Sequence, residues 1–277
     1  MKILTLNAHS LLEPEYHAKL RQFADFVLRE QVDLIALQEV NQTIGAKPID
    51  PALLEGMIPA PGAFLPLLED NHAAHVAKLL REAGASVSWI WLPVKVSYDR
   101  YDEGLALLSL RGEIEETDAI HLTRSADYAD WRVRKALGAR IGGDWFYTVH
   151  MGWWNDPFEP FQHQWKNLNE NARQDGGNTW LLGDFNSPAE VRGEGYDQIR
   201  ADGWHDAWLA AEETRGEATV EGVIDGWRDR AENADSLTGM RIDHIWTRFP
   251  AKIKSAKVIF DGKYEPMVSD HYGIQIE

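Results

Sequence analysis

The 277-residue chain, 44% hydrophobic and 10% aromatic, is long enough to bury a large core, as one layered domain or as two ordinary ones. Its 28 Lys and Arg against 44 Asp and Glu give a formal charge of -16, so it repels polyanions at long range and nucleic acid is a disfavoured partner. It has no cysteine, which excludes disulfides, thiolate catalysis and zinc-thiolate sites.

Met1 to Asn7 alternates like a strand and carries neither the long apolar run nor the small-residue cleavage site of a secretory signal. No apolar run is long enough to span a bilayer, so the expectation is a soluble, cytoplasmic protein with no membrane partner. A helical pattern from about Glu13 to Glu30 follows, with Leu20, Phe23, Val27 and Leu28 at helical spacing, then a buried-type strand from Asp33 to Leu37. Asn41 to Glu69, rich in Pro, Gly and Ala, reads as a long excursion before a helix from about Asn71 to Gly84.

The texture then turns to strands: Val87 to Tyr98, Gly104 to Leu110, Trp131 to Ile141 and Asp144 to His150, with Gly142-Gly143 as a hairpin turn. Phe158 to Ala172 reads as a helix, and Thr179 to Leu182 as a buried strand running into Gly183-Asp184-Phe185-Asn186. Beyond a polar, helix-forming stretch lie strand candidates Arg241 to Thr247, Ala256 to Phe260 and Tyr272 to Ile276. No repeat, low-complexity tract or Gly/Ser linker divides the chain, so a single domain over 1–277 is expected. Two strand-rich halves, each with its helices, predict an α/β fold: two packed mixed β-sheets covered by helices on both outer faces, a four-layer α/β/β/α sandwich.

Polar residues fall in a pattern. Asn7, Glu39, His150, Asp184, Asn186, Asp243 and the pair Asp270-His271 are all expected at or just beyond the end of an apolar strand. Taken singly each has a bland reading, a turn residue, a solvated strand end or an Asx-turn. Strand ends on one rim of a packed sheet converge in space, and these hard-ligand and acid-base types converging there make a metal and phosphate site.

The ordered set Leu37-Gln38-Glu39-Val40, Gly183-Asp184-Phe185-Asn186, Ile242-Asp243-His244 and Ser269-Asp270-His271 resembles the endonuclease/exonuclease/phosphatase superfamily. That superfamily contains deoxyribonuclease I, apurinic endonucleases, sphingomyelinases and inositol polyphosphate phosphatases. The resemblance spans nearly the whole chain and implies a magnesium-dependent phosphoesterase, with manganese able to substitute. It makes Glu39, Asn7 and Asp270 the metal ligands, for one ion or two, in keeping with the oxygen ligands that magnesium takes. It sets His271 against the scissile phosphate with Asp243 fixing its tautomer, and pairs Glu103 with His150. Asp184 would orient or deprotonate the attacking water, and Asn186 would donate to a non-bridging oxygen. Either Asp184 or His271 could be the general base.

The walls of the site bear on the substrate. Directly after His150 comes Met151-Gly152-Trp153-Trp154-Asn155-Asp156, aromatic faces beside polar groups that suit a sugar, although nucleobases stack on tryptophan as well. This stretch, with Glu159-Pro160-Phe161, is similar to a bacterial subgroup that includes maltose-phosphate phosphatases. Trp153, Trp154 and His9 are therefore candidate substrate contacts, with Ser10 near enough to join them. The first expectation is a phosphomonoesterase acting on a small phosphorylated sugar, the alternative a nuclease or other phosphodiesterase, and the third a catalytically dead relative that only binds a phosphorylated ligand. Trp89, Trp91, Trp145, Trp180 and Trp246 are expected in the core, His17, His72, His75, His121 and His205 at the surface or at caps, and His244 pointing away from the site.

Overall fold

The computed structural model describes residues 1–221 and 239–277. Its first sheet has seven strands and its second six. Strand β1 (Ile3–Asn7) leads through helix α1 (Tyr16–Glu30) into β2 (Leu34–Thr43), which lies parallel to it. Helix α2 (His72–Glu82) precedes the hairpin of β3 (Ser88–Ser97) and β4 (Tyr101–Ser109), and β4 pairs antiparallel with β2. The second sheet begins with β5 (Glu116–His121), β6 (Lys135–Ile141) and β7 (Asp144–His150). Helix α3 (Phe161–Asn171) then carries the chain to β8 (Thr179–Asp184), parallel to β7. After α4 (Gly195–Ala201), β9 (His205–Asp206) and α5 (Ala207–Ala210), β10 (Ala211–Arg215) crosses to the edge of the first sheet. Strand β11 (Asp243–Thr247) completes the second sheet, and β12 (Ile253–Ile259) and β13 (Gly273–Ile276) the first. The strand orders are β10-β12-β13-β1-β2-β4-β3 and β5-β6-β7-β8-β11-β9.

The four layers follow from the two-residue period of the strands. In β1, Leu4 and Leu6 face outward into a cluster with Phe23, Phe26 and Val27 of α1 and Val76 and Leu80 of α2. Ile3 faces inward with Leu34, Ile90, Leu105, Leu137, Phe146, Leu182 and Ile245, residues drawn from both sheets. On the far side Tyr147, Leu181 and Trp246 pack against Phe161, Trp165 and Leu168 of α3 and Ile199 of α4. Each large side chain so buried contributes about 1.5–3 kcal/mol. The sandwich is the α/β/β/α arrangement expected, and the five strand tryptophans Trp89, Trp91, Trp145, Trp180 and Trp246 are buried.

Several expectations need correction. Strand β6 starts at Lys135; Trp131 to Arg134 form an irregular turn held by Arg132–Asp130 contacts. Helix α1 begins at Tyr16, because Glu13 is tied instead to His9 and Lys19. Strands β5, β9 and β10 were not anticipated; β5 is a largely polar edge strand without apolar alternation. His72, expected at the surface or at a cap, is only 6% exposed, and its Nδ1 shares a 3.0 Å hydrogen bond with the Tyr16 hydroxyl. Of the polar stretch before Arg241, the part at 222–238 lies outside the described residues. Among the described residues no helix is long and apolar enough to cross a membrane.

Candidate active site

The inward-facing positions of β1, β7 and β8 change from apolar to polar toward one end. Ile3 and Thr5 are followed by Asn7, Phe146 and Thr148 by His150, and Trp180 and Leu182 by Asp184. Register does the rest: His150 lies beside Asp184 across β7 and β8, and Asp184 beside Asp243 across β8 and β11. Three site residues thus sit in one row across adjacent strands. The two sheets are pinned together beneath them by Gln38, whose Nε2 donates to Thr5 Oγ1 at 3.2 Å and Thr148 Oγ1 at 2.8 Å.

Glu39 is placed differently from expectation. It lies inside β2, at a bulge where the register against β4 shifts between Leu37 and Val40, and its φ is +51°. Strict alternation would send the residue after inward-facing Gln38 out toward the helices; the extra bulge residue redirects it. Glu39 Oε1 consequently accepts from Asn7 Nδ2 at 3.0 Å and lies 3.9 Å from His150 Nδ1. Ser10, 1% exposed, braces the bulge: its hydroxyl donates to Glu39 O at 2.6 Å and accepts from Asn41 N at 3.1 Å. It is occupied there rather than turned toward a substrate.

Asp184 is the hub. Its Oδ2 accepts from Asn7 Nδ2 at 3.2 Å and stands 3.6 Å from His150 Nε2 and 3.9 Å from His271 Nε2, while Oδ1 accepts from Asn186 N at 2.8 Å. Burial, reinforced by nearby Asp243 and opposed by His271, pushes its carboxyl up to about 7. His271 Nδ1 lies 3.1 Å from Asp243 Oδ2. Burial alone would lower the His271 imidazole, but Asp243, Asp184 and Asp270 raise it to about 10. The pair therefore divides at neutral pH into an imidazolium and a carboxyl group near its titration point. Ser269 Oγ donates to Asn7 O at 2.7 Å and so ties the Asp270-His271 turn to β1.

The remaining predicted residues have mixed placements. Asn186, at φ +47°, donates from Nδ2 to Met151 O at 2.8 Å, which locks the turn after β8 to the segment after His150. Glu103 Oε1 is 3.8 Å from His150 Nδ1, too long for a hydrogen bond, and takes Lys95 Nζ at 3.1 Å instead. Burial, with Arg134 and Lys95 nearby, keeps His150 well below its ordinary pKa and neutral. His9 Nδ1 lies 2.7 Å from Glu13 and 3.8 Å from Asp270; despite burial these acids raise it to about 9. Trp153 is half-buried with its ring 5.9 Å from that of Trp131, which is exposed. Trp154 leans on the second sheet's outer core, 5.9 Å from Phe161. His244 faces away, held between Arg241 and Ser187 O, as its place after Asp243 predicts.

Two residues near the site were not anticipated, Lys95 and Arg134, both buried. The signal was present for Lys95, a lone cation inside an otherwise apolar strand, directly across β4 from Glu103.

A metal fits the donor set. Among the described residues two compact groups of side chains could hold an ion, His9 with Glu13 and Asp270, and Asp184 with Asp243 and His271. In the first, His9 and Lys19 already neutralise Glu13; in the second, the shared proton of His271 competes with a cation. A third grouping, Glu39 with Asn7 and Asp270, offers hard oxygen atoms, and Glu39 is held above the usual carboxylate range by burial and by facing Glu103 and Asp270. Buried carboxylates that repel one another are what a divalent cation relieves.

The model of the Endonuclease/Exonuclease/phosphatase family matches residues 4–271. No curated protein matches the sequence. Among solved structures, an endonuclease/exonuclease/phosphatase family protein from Leptotrichia buccalis is similar at 28% identity with a TM-score of 0.85, covering 100% of this chain and 98% of that one. A mannosyl-6-phosphatase from Bacteroides thetaiotaomicron shares the fold at 17% identity and TM-score 0.65, again covering 100% and 98%. So does a 3′ phosphatase from Neisseria bound to a product DNA hairpin, at 19% identity and TM-score 0.61 with the same coverage.

Proposed function

Because the chain belongs to the endonuclease/exonuclease/phosphatase family, whose members are metal-dependent phosphoester hydrolases, we propose that it is a phosphomonoesterase releasing inorganic phosphate from a small phosphorylated sugar such as maltose phosphate. The observation that carries the hydrolytic reading is Asp184, a buried carboxyl near neutral pKa set between Asn7, His150 and a charged His271. A general base poised near pH 7 is the group that in-line hydrolysis requires.

Glu39, Asn7 and Asp270 would hold magnesium, or manganese in its place. When bound, the ion supplies Lewis-acid polarisation of a phosphoryl oxygen. Asp184 orients the attacking water and takes its proton as the oxygen-phosphorus bond forms and the bond to the sugar oxygen breaks, the departing sugar oxygen taking a proton from solvent water. Of the two candidates for the base, His271 is the weaker, since it already carries its proton. It serves instead as a charged donor to a non-bridging oxygen, with Asp243 holding its other ring nitrogen. Neutral His150 stands among Asp184, Glu39 and Glu103 at 3.6–3.9 Å, with no hydrogen bond at its Nδ1, and Asn186 stiffens the wall behind.

The sugar reading rests on the aromatic wall after His150, where the Trp153 and Trp131 rings lie 5.9 Å apart at a tilt of 56° beside polar residues, and on the acidic balance of the chain. A DNA-processing phosphatase shares the fold, so a nuclease or other phosphodiesterase is the second reading. The test is phosphate release from a panel of phosphorylated mono- and disaccharides with magnesium, with excess chelator, and with metal restored. Turnover that survives the chelator sinks the metal mechanism, and DNA cleavage without release from any sugar ester favours the second reading.

A further inference from the structure

Arg134 is a buried cation that nothing in this hydrolytic scheme uses. It is 3% exposed, and its Nη1 donates only to backbone carbonyls, Trp131 O at 2.9 Å and Val133 O at 3.2 Å. Its Nε has no partner, and no carboxylate among the described residues forms an ion pair with it. A desolvated guanidinium without a counter-ion is costly, and burial pushes its pKa down accordingly. The acids that pull it back are Glu103, Asp184, Glu39 and Asp156, three of them residues of the candidate active site.

The structure also explains why none of these acids closes on it. Glu103, the strongest influence, is already engaged by Lys95 at 3.1 Å, in a pair that is itself buried. Asp184 is held by Asn7 and the Asn186 backbone, Glu39 by Asn7, and Asp156 by the backbone N–H groups of Phe158 and Glu159. Arg134 itself is fixed from behind, its backbone N–H donating to Thr123 Oγ1 at 3.2 Å. It sits two residues before Ala136, which pairs with Val149, and so beside the end of β7 that carries His150. A positive fork is thus kept unpaired at the edge of a phosphoester site.

We infer that Arg134 is a phosphoryl-binding residue whose guanidinium takes the terminal oxygens of a phosphomonoester dianion, and that it makes the site favour monoesters over diesters. Lys95 is a positioning residue, occupying Glu103 so that the guanidinium stays open to substrate. The inference rests on the phosphoesterase reading above but not on the identity of the sugar. A monoester dianion presents three terminal oxygens that share two negative charges to the guanidinium; a diester keeps two that share one, so the guanidinium gains more from the monoester.

The experiment compares Arg134→Gln and Arg134→Lys with the wild type on p-nitrophenyl phosphate and methyl p-nitrophenyl phosphate, with magnesium, and measures inhibition by inorganic phosphate. Arg134→Gln is expected to lower kcat/KM on the monoester by ~10- to 100-fold, the scale of one charge-assisted hydrogen bond. It is expected to lower the diester rate less, so that the monoester-to-diester ratio drops, and to weaken phosphate inhibition in parallel. Arg134→Lys should recover part of both, and Lys95→Met should lower the same ratio with partial rescue by Lys95→Arg. Equal losses on the two esters, or phosphate inhibition unchanged in Arg134→Gln, overturn the inference. The phosphoesterase reading fails separately, if wild type hydrolyses neither ester. Calorimetry with inorganic phosphate and magnesium then decides Arg134: weaker binding in Arg134→Gln supports it and equal binding overturns it.

Discussion

At the scale of single residues, the site separates proton-handling groups by environment. Asp184 and His271 lie 3.9 Å apart, yet burial raises the carboxyl while three acids raise the imidazole, so their charges at neutral pH are set by the fold. Asp184→Asn and His271→Ala are each expected to lower kcat by at least ~100-fold, the usual scale for one positioned proton-transfer group. Steady-state phosphate release checks this, with circular dichroism to verify folding. A wild-type kcat in either variant would move the reacting centre elsewhere. His72 offers a test on stability. Burial, with a smaller contribution from His75, lowers it to about 3, below the 6.5 of an unfolded chain. Between those values the unfolded state binds the proton and the folded state does not, so this stabilisation is complete above pH 6.5 and lost as pH falls. Urea unfolding should show wild type losing about 1 kcal/mol more than His72→Gln between pH 6.5 and 5.5. Parallel curves across that range would mean that His72 is not held neutral.

At the scale of elements, the parallel seam of β7 and β8 aligns His150 with Asp184, and Gly183 permits it. At φ +141° and with a Cβ that would come 2.0 Å from Val149 O, position 183 admits no side chain without parting the strands. Gly183→Ala is expected to cost ~2–4 kcal/mol, lowering Tm by ~5–10 °C in a thermal melt, and to reduce activity by displacing His150 from Asp184. A variant with unchanged Tm would show that the seam can relax. Sequence made this seam legible, since β7 and β8 are apolar runs ending in His150 and Asp184 and Gly142-Gly143 marks the hairpin that precedes them. It hid the bulge at Glu39, because Leu37-Gln38-Glu39-Val40 reads equally well as regular strand or strand end; only the pairing with β4 shows the shift. It hid β5, whose exposed edge position removes the alternation that marks a strand. Arg134 was invisible because its burial depends on an irregular turn before β6, and no local pattern announces a desolvated arginine.

At the scale of the whole molecule, charge and the aromatic wall act together on substrate choice. A polyanion approaching a chain of charge -16 is repelled, and two bound dications would leave the total strongly negative. A sugar phosphate brings only about two charges, which local cations and a metal can meet, while its hydroxyls and C–H faces engage groups that lie outside the reacting centre. Trp153 is the side chain on which this reading can be tested, because Trp154 also packs against Phe161 and its loss would mix binding with stability. Trp153→Ala is expected to raise KM for the sugar ester about tenfold, the scale of a stacking contact of ~1 kcal/mol or slightly more, with kcat changed less. An aryl phosphate without hydroxyls to position should be affected less. The comparison is kcat/KM for phosphorylated mono- and disaccharides against duplex and single-stranded DNA, at low salt where polyanion binding is most favoured. Efficient DNA cleavage at low salt, with Trp153→Ala indistinguishable from wild type on every sugar ester, would show that neither the charge nor the aromatic wall selects the substrate.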